Sequence, residues 1–156
     1  METVYLETTI PGYLISKPSR DIIIIAHQEI TRNWWENERH KYELFISEIV
    51  IDEIAKGNLK YSTERLHIIK ETKILALDDN IIKIAEKYMN NFNFPDKLLR
   101  DVFHIAFSFY YEIDYLLTWN CKHIANAHFI KQLKKINNEM KVRTPEICTP
   151  EGLFEF

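Results

Sequence analysis

Acidic side chains stand just behind short apolar runs along this chain, and chemistry is sought there first. Leu6 is followed by Glu7-Thr8-Thr9, and the run ending at Ser47 leads into a helical segment carrying Glu48, Asp52 and Glu53. Further runs end at Asp78-Asp79 and at Thr118-Trp119-Asn120, while Asp101 shares a helical face with His104. Carboxylates gathered in a cleft repel one another and lose hydration, a cost normally tolerated only when a cation neutralises them. Without a Cys pair or His-rich spacing, an oxygen-only ligand set favours Mg²⁺ or Mn²⁺ over Zn²⁺, with waters completing an octahedral shell. Such a site can activate water and stabilise in-line displacement at phosphorus. The plainer reading is that acids at helix N-termini serve capping and the helix dipole. Spacing alone leaves both open.

The elements that must position these residues alternate. Strand-like runs at Val4–Leu6, Leu44–Ser47, Ile74–Leu77 and Tyr115–Thr118 are nearly all apolar and are separated by helical patterning. That alternation predicts an α/β fold whose central, mostly parallel sheet is covered by helices on both faces. In such a sheet ligands gather at the carboxyl ends of the strands, where the acids stand. Arg20–Lys41 reads as a long helix. Ser47 caps a helix through Lys56 closed by Gly57, and Ser62 or Thr63 starts another reaching Glu71. Asp78 or Asp79 caps a helix ending near Asn90-Asn91, and Pro95 suits the first turn of the next. There Leu98, Val102, Ile105 and Phe109 form an apolar stripe beside a polar one of Lys97, Asp101, His104 and Ser108. A terminal helix over Ala127–Met140 precedes an edge strand within Val142–Cys148. No repeat or second domain is visible, so residues 1–156 read as a single domain.

Composition narrows the field. Lys and Arg number 20 against 23 Asp and Glu, a net charge of -3, so no global positive field advertises a nucleic-acid or membrane partner. Cys121 and Cys148 are too few for a disulfide framework and lack zinc spacing. The start has no basic segment, and Ile22–Ala26, the longest aliphatic run, is far below the roughly 18 residues of a membrane span. A soluble cytoplasmic protein is expected. There is no GxGxxG or phosphate-binding loop, and no nucleophile elbow.

The pieces in order resemble PIN-domain proteins of the VapC type, the toxin ribonucleases of type II toxin-antitoxin pairs. The family's opening strand and Asp-Thr pair are matched by VYLETTIPGYL, with Glu7-Thr8. Its Ser, apolar turn and acid are matched by SEIVIDEI, with Ser47 and Glu53. Its Asp followed by His-Ile-Ala is matched by DVFHIA, with Asp101 and His104. Its last strand with Thr-x-Asp or Thr-x-Asn is matched by YLLTWNCKHIAN, with Thr118 and Asn120. The resemblance spans nearly the whole chain. It implies a PIN-like three-layer α/β/α fold with a twisted sheet, an Mg²⁺ or Mn²⁺ pocket, and hydrolysis of RNA. It further implies an antitoxin partner that covers the pocket, and a homodimer.

Carried over by this resemblance, Glu7, Glu53 and Asp101 bind metal directly or through water. Thr8 orders that shell with Thr118 in support, Asn120 orients a water or ligand, and His104 is a supporting or core residue. Two positions depart from the pattern. Glu7 stands where an Asp is usual, moving its carboxylate outward by about one bond length in a geometry Mg²⁺ holds strictly. Asn120 replaces an acid common there. These departures motivate an alternative, a catalytically degenerate PIN-like module that binds RNA or a protein without cleavage.

RNA must also reach the pocket. Lys122, Lys131, Lys134 and Lys135 supply a local basic stretch for phosphates, although the last three also suit the solvated face of a helix. Trp119, beside Asn120, is the best placed base-stacking residue. Trp34 and Trp35 read as dimer or partner surface.

Overall fold

The central strand of the sheet, β1 (Thr3–Leu6), is where the chain is most deeply covered, with Val4, Tyr5 and Leu6 fully buried. The computed structural model describes residues 1–56 and 62–155, and the expected closing residue Gly57 lies outside them, as does the side chain of Ser62. Strands β2 (Glu43–Ser47), β3 (Lys73–Leu75), β4 (Tyr115–Leu117) and β5 (Glu146–Cys148) complete a sheet in the order β3-β2-β1-β4-β5. Every neighbouring pair is parallel, and Tyr5 lies opposite both Phe45 and Leu116. Helices on both faces exclude water from such a sheet, so its strands read as continuous apolar runs. The chain builds outward from β1 on one side and returns through β4 on the other. The strand order therefore reverses at β1 and β4, the position where open α/β sheets bind ligands.

The helices are α1 (Thr9–Ile15), α2 (Ile22–Asn37), α3 (Glu48–Ala55), α4 (Ser62–Lys70), α5 (Asp79–Phe92), α6 (Leu99–Tyr110) and α7 (Ala127–Glu139). Their starts follow ordinary capping chemistry. Asp21 accepts from the amides of Ile23 and Ile24, Ser47 from Val50, Asp78 from Asn80, and Asn126 from His128 and Phe129. Helix α5 ends on Asn93 in the left-handed conformation, φ 50°, where Asn is tolerated because its short side chain bonds locally.

Several expectations need correction. No helix is expected between β1 and Arg20, and the structure forms α1 there with Pro11 and Gly12 inside it. Pro11 falls in the first turn, where a missing N–H has no intrahelical partner to lose, and the amide of Gly12 bonds to the carbonyl of Thr8 at 3.0 Å. The long helix is shorter than Arg20–Lys41 at both ends, β3 stops at Leu75 rather than Leu77, and β5 occupies only the end of its range. A 3-10 turn at Asp96–Leu98 separates Pro95 from α6. Trp34 and Trp35 are buried, not partner surface. Trp34 stacks on Tyr42, and the Arg39 guanidinium covers Trp35 at 5.1 Å. The exposed apolar end of α2 is instead its first turn, with Ile22 81% and Ile23 64% exposed.

Candidate metal centre

Directly beyond Leu6 the chain leaves β1 at Glu7, whose amide still bonds to the carbonyl of Leu117 in β4 at 3.0 Å. Its carboxylate is thereby held at the strand switch point with only 5% of the residue exposed. Thr9 and Thr118 fix it. Oε2 accepts from the hydroxyls of Thr9 and Thr118, each at 2.6 Å, and from the Thr9 amide at 3.2 Å. The other oxygen, Oε1, faces His104 Nε2 at 4.0 Å.

Glu53 enters from α3, which starts at the end of β2. Its Oε2 accepts from the Thr8 hydroxyl and lies 3.7 Å from His104 Nε2, while Oε1 accepts from Arg100 at 3.1 Å. Burial opposes ionisation of this carboxyl, but His104, Thr8 and Arg100 outweigh it and hold its pKa at about 2 against the ordinary 4.5. Glu53 is therefore a carboxylate across the physiological range.

His104, 1% exposed on α6, completes the group: one donor atom each from Glu7, Glu53 and His104 lies within 4.8 Å of the others. Behind it runs a buried chain of hydrogen bonds. His104 Nδ1 is 2.7 Å from the Tyr5 hydroxyl, which is 2.8 Å from Ser47 Oγ. Burial, and then the nearby carboxylates against the Ser47 hydrogen bond, leave the Tyr5 phenol well above its ordinary pKa. It keeps its proton and can donate. Carboxylate oxygens and an imidazole nitrogen converging at this spacing are a donor set suited to one divalent cation.

Asp101 belongs to a different arrangement. It sits in the first turn of α6, but it is outside the group of Glu7, Glu53 and His104. Its Oδ2 accepts from His123 Nδ1 at 2.9 Å and its Oδ1 from Asn120 Nδ2 at 3.2 Å. Asn120 is itself locked, its Oδ1 accepting from the His123 amide at 3.1 Å and its own amide donating to the Thr118 hydroxyl at 2.9 Å. Beside this pair opens an apolar cavity of about 220 Å³ lined by Phe94, Leu98, Val102, Ile105 and Phe129, with Asp101 and His123 at its edge.

Thus Glu7, Glu53, Thr8, Thr118 and His104 come together, and Asp101 and Asn120 form a neighbouring pair around His123. The sequence reading gave His123 no role, although Asn120-x-x-His123 behind a strand is the spacing of an Asn-capped turn. It also passed over Thr9, which both holds Glu7 and accepts from the Trp119 amide at 2.9 Å. Trp119 is corrected as a stacking residue. It is 9% exposed, stacks on His27 at 3.9 Å and donates to the Thr31 hydroxyl at 2.7 Å, so its faces are used internally. Lys122, Lys131 and Lys135 are exposed, whereas Lys134 pairs with Glu146 at 3.2 Å.

No protein-family model and no curated protein sequence matches the chain. Solved structures do. A chain of VapBC2 from Rickettsia felis, bound to a DNA fragment from its promoter, aligns over 94% of this chain and 98% of its own, with TM-score 0.61 and 13% identity. A chain of a toxin-antitoxin complex from Klebsiella pneumoniae aligns over 98% and 99%, with TM-score 0.62 and 17% identity. The fold is therefore the PIN-like three-layer α/β/α architecture of those chains. Among the described residues, no helix is long and apolar enough to cross a membrane.

Proposed function

We propose that this chain is a metal-dependent endoribonuclease of the VapC-like PIN class, the toxin component of a toxin-antitoxin pair. The observation that carries the reading is the convergence of Glu7, Glu53 and His104 within 4.8 Å at the strand switch point of this fold. Mg²⁺ or Mn²⁺ would be held by Glu7 and Glu53, with Asp101 contributing through water. When bound, the ion supplies an activated water and charge stabilisation at the phosphorus.

The chain's own residues do the positioning. Thr9 and Thr118 aim the Glu7 carboxylate, and Thr8 orients Glu53. Asn120 and His123 hold Asp101 at the rim, where its carboxylate can order the attacking water. Arg100, half exposed beside Glu53, can meet a phosphate oxygen, and Lys122, Lys131 and Lys135 can guide the RNA backbone. Hydrolysis leaves a 3′-hydroxyl and a 5′-phosphate. The two structural neighbours are toxin-antitoxin assemblies, which supports an antitoxin that covers this pocket, and a homodimer follows from the same class.

The test is cleavage of a mixed RNA pool with Mn²⁺, Mg²⁺ or EDTA, comparing wild type with Asp101→Asn. Metal-dependent cleavage that falls about 10- to 100-fold in the variant is the expected result. No cleavage by folded, metal-loaded wild type would overturn it in favour of a module that binds without cutting. The Arg100 guanidinium already on Glu53 favours that second reading.

A further inference from the structure

Resting on the metal-dependent reading above, we infer that His104 is a direct metal ligand through Nε2, making the site a Glu-Glu-His centre rather than an all-carboxylate one. The geometry around this nitrogen carries the inference. Nε2 faces Glu53 Oε2 at 3.7 Å and Glu7 Oε1 at 4.0 Å, both beyond hydrogen-bond reach. The side chain is 2% exposed, and among the described residues its only hydrogen bond is at the other ring nitrogen. An imidazole nitrogen at ion-pair distance from two carboxylates, yet beyond hydrogen-bond reach of both, leaves a gap among three ligand atoms that one cation can join.

The separations suit an ion. Metal bonds of about 2.0 to 2.2 Å place adjacent donors about 3 to 3.5 Å apart. The two gaps to His104, 3.7 and 4.0 Å, and the 4.8 Å within which all three atoms lie are wider than that, so the side chains draw in around a bound ion by about an ångström.

The hydrogen bonds behind the ring favour the ligating tautomer. Tyr5 can donate to Ser47 Oγ, leaving its own oxygen to accept from His104 Nδ1–H. Nε2 then carries the lone pair and points at the gap. Fixing a metal-binding His through its second nitrogen is the usual outer support for such a ligand. Asp101, tied to His123 and Asn120, is then a positioning residue. One nitrogen in the set shifts preference from Mg²⁺ toward Mn²⁺, since imidazole suits transition metals and Mg²⁺ favours oxygen.

The test uses metal-free full-length protein titrated with Mn²⁺, read by pulsed electron spin-echo spectroscopy for ¹⁴N coupling and by calorimetry for affinity. Wild type should show coupling to one imidazole nitrogen, retained in His123→Gln and lost in His104→Gln. Tyr5→Phe, which keeps the ring but removes the Nδ1 partner, should weaken Mn²⁺ binding about 10- to 100-fold and Mg²⁺ binding less. Bound Mn²⁺ without nitrogen coupling, or coupling that survives in His104→Gln, overturns the inference. Should His104→Gln fail to fold, unchanged coupling and affinity in Tyr5→Phe overturn it instead. RNA cleavage by the same preparation is scored separately. Coupling without cleavage retains His104 as ligand and removes the nuclease reading, cleavage without coupling does the reverse, and no Mn²⁺ binding removes both.

Discussion

Around Glu7, Glu53 and His104 the donor atoms face one another across gaps of 3.7 and 4.0 Å, whereas around Asp101 they close to 2.9 and 3.2 Å. The two clusters share one end of one sheet and draw on the same helix, α6, so the contrast is not one of location. In the first, two carboxylates and the His104 ring nitrogen stand at ion-pair distance without closing to hydrogen bonds, and further donors act from outside, Thr9 and Thr118 on Glu7 and Thr8 and Arg100 on Glu53. In the second, the carboxylate meets donors on both oxygens. A gap whose lining atoms do not close on one another can hold a cation, and a closed network stabilises a geometry. One cluster is therefore built to bind, and the other to hold still.

The largest test of that division removes charge from the open cluster. Glu7→Gln should cut RNA cleavage by about 100- to 1,000-fold, the range for losing one charge-stabilising group. It should also abolish the stabilisation by Mn²⁺, about 2.7 kcal/mol at 100 times Kd, read as a shift in Tm. A variant that still melts higher with Mn²⁺ would place the ion elsewhere. His123→Ala, which opens the closed cluster, should lower turnover about 10- to 100-fold while leaving the Mn²⁺-dependent Tm shift in place. Equal loss of both would merge the two clusters into one site.

A smaller effect is expected behind the open cluster. Tyr5→Phe removes the hydroxyl shared by Ser47 and His104 and should cost about 1 to 3 kcal/mol in metal-free protein, measured as the denaturant midpoint at constant slope. The acid response is comparable in size. Because Glu53 is held at about 2 rather than 4.5, its contribution to metal-free stability is present above about pH 4.5 and is lost as pH falls toward 2. Glu53→Gln should flatten the stability profile over that window. An unchanged slope would mean that Thr8, His104 and Arg100 do not favour its ionised form.

Much of this arrangement was legible in the residues. Buried parallel strands leave continuous apolar runs, so β1, β2 and β4 stand out, and the acids behind them mark the strand ends. Helix α1 was not read from the residues; it is short and contains Pro11 and Gly12, and the proline is harmless there because it falls in the first turn. DVFHIA marked His104 as a supporting residue, but its contacts and those of His123 were illegible for a different reason. Both depend on which partner each ring nitrogen meets, and those partners, Tyr5 and Asp101, lie 99 and 22 residues away in the chain. Trp119 failed as a stacking residue because its cover, His27 and Thr31, comes from α2. Proximity to Asn120 in sequence carries no information about that cover.

The most direct test of the division between the clusters is Mn²⁺ calorimetry on metal-free wild type, Glu7→Gln and Asp101→Asn, each first shown to be folded. The open gap predicts one bound ion in wild type, no measurable binding in Glu7→Gln, and binding within about tenfold of wild type in Asp101→Asn. Binding lost in Asp101→Asn and retained in Glu7→Gln would contradict it.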